Sequence, residues 1–105
     1  DMRDAPSLAI VQSLLDAGAT VRAYDPEGMD AAKAMMPDIT YCSGAYEAAT
    51  GADAVAIVTE WDTFRALDLK RLAGVMAGNV MVDLRNVYRP DDVAKAGFAY
   101  SSVGR

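Results

Sequence analysis

Arg85 stands in the segment Val82-Asp83-Leu84-Arg85-Asn86, directly after the apolar run Val80-Met81-Val82. The run reads as a buried strand, so Arg85 falls just past its carboxyl end. In open α/β sheets that end is where ligands bind. A guanidinium there suits phosphate, because its planar fork donates to two oxygens at once. The alternative is a surface ion pair with Asp83 or Asp91. A second group, Thr59-Glu60-Trp61, closes the apolar run from Ala54 and falls at the same kind of edge. Trp61 can contact a ligand or cover the sheet edge, and Glu60 can shape the site, cap the next helix or pair with an arginine. Arg3, at the start of a first helix, can strengthen the pull of a helix N-terminus on an anion, or pair with Asp1 or Asp4. Asp25, in Tyr24-Asp25-Pro26, can accept from a ribose hydroxyl or simply make an Asx-turn after a strand.

Other chemistry is poorly supplied. There is no histidine, so the usual neutral-pH acid/base group is missing. Cys42 is the single cysteine. It has no histidine to activate it and no partner for an internal disulfide, which fits an inert thiol in a reducing, cytoplasmic compartment. Cys42 and carboxylates alone make a poor zinc site. No Gly-x-Gly-x-x-Gly or phosphate-binding P-loop occurs, so the dinucleotide fingerprint is absent. A net charge of −5 argues against nucleic acid or an acidic membrane as partner. No apolar run approaches the roughly 20 residues that span a bilayer. No basic stretch leads into an apolar one, so no signal peptide is expected.

The elements that must carry these groups alternate in character. Leu8, Val11, Leu14 and Leu15 recur at helical spacing, with Asp4 as a candidate N-cap, Pro6 tolerated in the first turn and Gly18 suited to the end. Strands are expected over Thr20–Tyr24, Ile39–Tyr41, Ala54–Thr59, Val80–Leu84 and Phe98–Val103. Those from Ala54 and Val80 are expected to be buried on both faces. Helices are expected over Asp30–Met36, from Ala45 to Thr50 with Ser43 as cap, from Trp61 to Met76 with a break near Asp68, and over Pro90–Ala96. Asp91 and Asp92 in the first turn of the last helix favour its dipole. With 105 residues and 52% hydrophobic content, this is one α/β domain over 1–105, with a mainly parallel sheet. It begins at a helix, whereas doubly wound folds begin at a central strand.

Asp1-Met2-Arg3-Asp4-Ala5-Pro6-Ser7, Tyr24-Asp25-Pro26, Thr59-Glu60-Trp61-Asp62-x-Phe64 and Val82-Asp83-Leu84-Arg85-Asn86 follow one another in register. Together with Ala96-Gly97-Phe98-x-Tyr100-x-x-Val103-Gly104-Arg105, they resemble the carboxyl-terminal, UDP-binding domain of the UDP-glucose 6-dehydrogenases. These belong to the UDP-glucose/GDP-mannose dehydrogenase family. The resemblance covers essentially the whole chain. It implies a Rossmann-like, doubly wound domain that binds the UDP portion of a UDP-sugar, with Arg85 at the position of the arginine that contacts the phosphates. Arg3, Glu60 and Trp61 are the other substrate-binding candidates.

The resemblance also implies that the full enzyme oxidises UDP-glucose to UDP-glucuronate with NAD. NAD would be held by an amino-terminal domain, not by this segment. The family's catalytic cysteine has no counterpart here, and Cys42 does not match its motif. The segment alone is therefore expected to make no NADH from UDP-glucose. The family's Phe-Lys segment, which ends the domain's first strand, would immediately precede Asp1. The sheet is thus expected to be incomplete, with its first central strand absent from the chain. The strands at Thr20 and Ala54 would then flank an open gap that invites association. Partners are accordingly the UDP-sugar, the remainder of the enzyme chain, and a second copy in a homodimer or higher association. The alternative role is a non-catalytic assembly module.

Overall fold

A computed structural model describes residues 7–59 and 62–102. The expected alternation of helices and strands is present. In chain order the elements are α1 (Ser7–Asp16), β1 (Arg22–Ala23), α2 (Met29–Met35), β2 (Thr40–Tyr41), α3 (Ala45–Ala49) and β3 (Ala54–Ile57). Then follow α4 (Asp62–Arg65), α5 (Leu69–Val75), β4 (Val80–Asp83), α6 (Pro90–Lys95) and β5 (Ala99–Ser102). Every strand pair is parallel. The chain divides into two compact units, 1–48 and 49–105.

In the first unit, β1 and β2 form a two-stranded ladder, with Arg22 opposite Thr40 and Ala23 opposite Tyr41. β1 is shorter than the expected Thr20–Tyr24. A ladder extends only as far as its partner, and β2 is confined between the Pro37-Asp38 turn and the entry to α3. At that entry the Glu47 carboxylate accepts from the Ser43 N–H at 2.7 Å and its hydroxyl at 3.2 Å. Ser43 thus donates to the helix's own glutamate instead of capping it, because Glu47 reaches back in the manner of a capping box. The Tyr41 hydroxyl lies 2.8 Å from the Ala32 carbonyl and 2.7 Å from that of Met36, tying β2 to the end of α2. Ala32, Ile39 and Cys42 are buried here. Asp4 and Pro6 lie outside the described residues.

In the second unit the sheet order is β3-β4-β5. Ala54 pairs with Val80 and Ile57 with Asp83; Val80 pairs with Ala99 and Asp83 with Ser102. The expected break near Asp68 is found. Its carboxylate accepts from the N–H groups of Lys70 and Arg71, at 3.1 and 3.2 Å, and so caps α5. α6 ends in a Schellman motif: Gly97 has φ +102, its N–H donates to Ala94 and the Phe98 N–H to Val93.

One expectation fails in this sheet. β3 and β4 are not buried on both faces. Ala54 and Ala56 are exposed, and Val80 is 41% exposed, while Ile57, Met81 and Asp83 are buried. Burial alternates, as in a sheet covered on one side. The physical reason is the sequential strand order. Right-handed crossovers between consecutive neighbours carry α5 and α6 to the same face. Their Leu72 and Val93 are buried, with Phe64, Phe98 and Met81, in the core of this unit.

Candidate functional site

β4 is the middle strand of its sheet, and Asp83 is its last residue. Its side chain points to the covered face and is 0% exposed. A buried carboxylate is costly unless donors surround it. Here Oδ1 accepts from the Arg85 N–H at 3.1 Å. Oδ2 accepts from the Tyr88 N–H at 3.0 Å and the Tyr100 hydroxyl at 2.7 Å. Burial is the strongest single influence on this group and disfavours its charge. The Tyr100 hydroxyl and the N–H groups of Tyr88, Val87 and Arg85 together outweigh it, holding the carboxyl group below the usual carboxylate range.

These contacts fix the turn after β4. Leu84 extends the ladder by donating to the Ile57 carbonyl at 2.9 Å. Asn86 then takes φ +54, a left-handed conformation that asparagine tolerates. Val87 and Tyr88 turn inward and are buried, while Arg85 and Asn86 are exposed. The Tyr88 hydroxyl donates to the Phe64 carbonyl of α4, and the Tyr100 hydroxyl also lies 3.3 Å from the Tyr88 carbonyl. Arg85 therefore occupies an exposed position on a turn pinned from β4, β5 and α4, at the carboxyl rim of a parallel sheet. Because Ile57 is opposite Asp83, the loop after β3, with half-buried Thr59, shares that rim.

Of the four residues expected to bind substrate, Arg85 is placed in this way. Arg3, Glu60 and Trp61 lie outside the described residues. A surface ion pair between Arg85 and Asp83 is ruled out, since Asp83 is wholly buried and its oxygens take N–H and hydroxyl donors. Asp25 makes the Asx-turn: its Oδ1 accepts from the N–H groups of Glu27 and Gly28, each at 2.9 Å. Burial and the nearby Glu47 carboxylate push the Cys42 thiol up, against the opposing effect of Arg22. That environment suits an inert thiol. Among the described residues no three His, Cys, Asp or Glu side chains are grouped to hold a metal ion, and no helix is long and apolar enough to cross a membrane.

Tyr88 and Tyr100 are the residues that sequence reasoning passed over, and it offers Asp83 only as an ion-pair partner for Arg85. A carboxylate two residues before a polar turn is a legible Asx signal. Nothing in the sequence marks Tyr100 as a donor to it.

The sequence matches the model of the UDP-glucose/GDP-mannose dehydrogenase family, UDP binding domain, over residues 1–90. The chain belongs to this family. A UDP-glucose 6-dehydrogenase of Rhizobium meliloti (strain 1021) is 54% identical over 105 residues, all of this chain and 24% of that protein. A UDP-glucose 6-dehydrogenase of Pseudomonas aeruginosa is 40% identical over 111 residues, again covering 100% of this chain and 24% of that protein. The chain thus spans about a quarter of the length of these UDP-glucose/GDP-mannose dehydrogenase relatives. The solved UDP-D-ManNAc dehydrogenase of Pyrococcus horikoshii shares the fold, with a TM-score of 0.59 at 16% identity, over 94% of this chain and 30% of that one. Within the family the Rossmann-like α/β character of the chain is accounted for, and Asp83, Arg85 and Tyr88 all fall inside the matched residues.

Proposed function

We propose that this chain is the UDP-binding, carboxyl-terminal segment of an NAD-dependent UDP-glucose 6-dehydrogenase, and that Arg85 pairs with the diphosphate of the UDP-sugar. The observation that carries this is the exposed Arg85 on a pinned turn at the carboxyl rim of β3 and β4, inside a family match described as UDP-binding. The guanidinium brings a fixed positive charge and a two-pronged donor to two phosphate oxygens. Glu60 and Trp61, which follow Thr59 in sequence, are proposed as further contacts to the UDP-sugar, with Arg3 as a supplementary cation.

The role is binding. Oxidation of UDP-glucose to UDP-glucuronate belongs to the longer enzyme. The sequence has no Gly-x-Gly-x-x-Gly turn to cradle a pyrophosphate, so its residues do not fit NAD, and no chemical step is assigned to them. The lone buried thiol of Cys42 suits the reducing cytoplasm, where we place the enzyme.

Titration calorimetry with UDP tests the reading. Arg85→Ala is expected to weaken binding by about 1.5–3 kcal/mol, the worth of a hydrogen bond to a charged group. Equal affinity of the two proteins would remove Arg85 from the site.

A second reading, self-association, is favoured by one observation. Among the described residues β3 has a single hydrogen-bonded neighbour, and its sequence Ala54-Val55-Ala56-Ile57 carries no charge to discourage pairing. Light scattering is expected to show dimers or larger species irrespective of UDP. A strict monomer at all concentrations would dismiss this role.

A further inference from the structure

We propose that Asp83 and Tyr100 are positioning residues for Arg85, holding its backbone so that the guanidinium meets a diphosphate without first being ordered. The proposal rests on the reading of Arg85 as a phosphate ligand. Asp83 is an unexpected group to find beneath an anion site, because its own negative charge can only repel phosphate. Its contacts give it another use. One carboxylate takes the backbone N–H of Arg85 at 3.1 Å, that of Tyr88 at 3.0 Å and the hydroxyl of Tyr100 at 2.7 Å. It thereby joins the end of β4, the turn and β5 at one point, and the turn offers Arg85 to solvent while burying Val87 and Tyr88. These three donors, two backbone N–H groups and a hydroxyl, are all uncharged.

Binding strength depends on how often the free protein already has the competent arrangement. Tyr100→Phe removes one of the donors while keeping the ring and its volume. It should let the turn sample other conformations and lower the fraction in which Arg85 is correctly placed. A merely structural hydroxyl would change stability and leave affinity alone.

A double-mutant cycle separates these outcomes. Titration calorimetry with UDP is run on the wild-type chain, Tyr100→Phe, Arg85→Ala and the double variant. Tyr100→Phe is expected to weaken UDP binding about fivefold, and Arg85→Ala about tenfold or more. The double variant should bind no more than about twofold more weakly than Arg85→Ala alone, because without the guanidinium there is nothing left to position. Unchanged affinity in Tyr100→Phe, or a loss that adds in full to that of Arg85→Ala, overturns the positioning role and leaves Arg85 in the site. Arg85→Ala binding as well as the wild type, or a wild-type chain that does not bind UDP, strikes the underlying reading and the positioning role with it. Hydrogen exchange of the Arg85 backbone N–H in the wild-type chain is a second measurement should Tyr100→Phe fail to fold: slow exchange is expected of a held turn, and exchange at the rate of an unstructured peptide overturns the positioning role.

Discussion

Asp83→Asn is expected to lower the stability of the chain by about 3 kcal/mol at neutral pH, seen as a fall in the urea midpoint with an unchanged slope. Asparagine has the shape of aspartate but only one acceptor oxygen. Its amide NH2 would face either the Arg85 N–H or the pair formed by the Tyr88 N–H and the Tyr100 hydroxyl. A donor facing a donor in a site with no exposure to water has no remedy short of moving the turn.

The same substitution carries a pH signature. The Asp83 carboxyl is held below its ordinary value of 3.8 in the folded chain. A depressed folded value means that the unfolded state takes up the proton more readily. The stabilisation is therefore complete above the unfolded value. It is lost as the pH falls through the folded one, below 3.8. Asp83→Asn lacks this dependence, so the gap between the two proteins should narrow as the pH is taken down below 3.8. A gap of constant size from neutral to acid pH would show that the native carboxylate is not preferentially ionised.

Gly78→Ala is expected to be comparably damaging, for a steric reason. A Cβ built on Gly78 lies 2.2 Å from the Asp53 carbonyl oxygen and 2.9 Å from the Asp53 carbonyl carbon and Cα. These are backbone atoms, which cannot swing aside as the end of a side chain would. The approach is held by two hydrogen bonds, from the N–H groups of Ala77 and Gly78 to the Ala52 carbonyl at 2.9 and 3.0 Å. Relieving the clash separates the starts of β3 and β4 and breaks these bonds. We expect a loss of about 3 kcal/mol in urea unfolding. A variant within about 0.5 kcal/mol of the wild type would mean that the Gly78-Asn79 turn does not sit against Asp53 in solution.

Local signals in the sequence account for much of the fold. Pro37, Gly51, Gly97 and the Gly78-Asn79 turn end elements where steric rules say they should. Asp68 caps α5 because a carboxylate just before a helix has free N–H groups to accept from. The burial of β3 and β4 was less legible. An apolar run of three or four residues reads the same whether one face or two are covered. Only strand order decides where the crossover helices lie, and order is a long-range property.

For the candidate site, residue type and local hydrophobicity suffice for the sequence to place an arginine after a strand, at Asp83-Leu84-Arg85. It determined the family as well, through motifs kept in register along the chain. Tertiary structure alone decided what Asp83 does. In the sequence it stands two residues from Arg85 and offers itself as an ion-pair partner. In the fold, strand alternation turns it to the covered face, and parallel pairing with β5 delivers Tyr100, 17 positions away, to its oxygen. A hydrogen bond between residues so far apart depends on which strands become neighbours, and no local pattern of side chains encodes that choice.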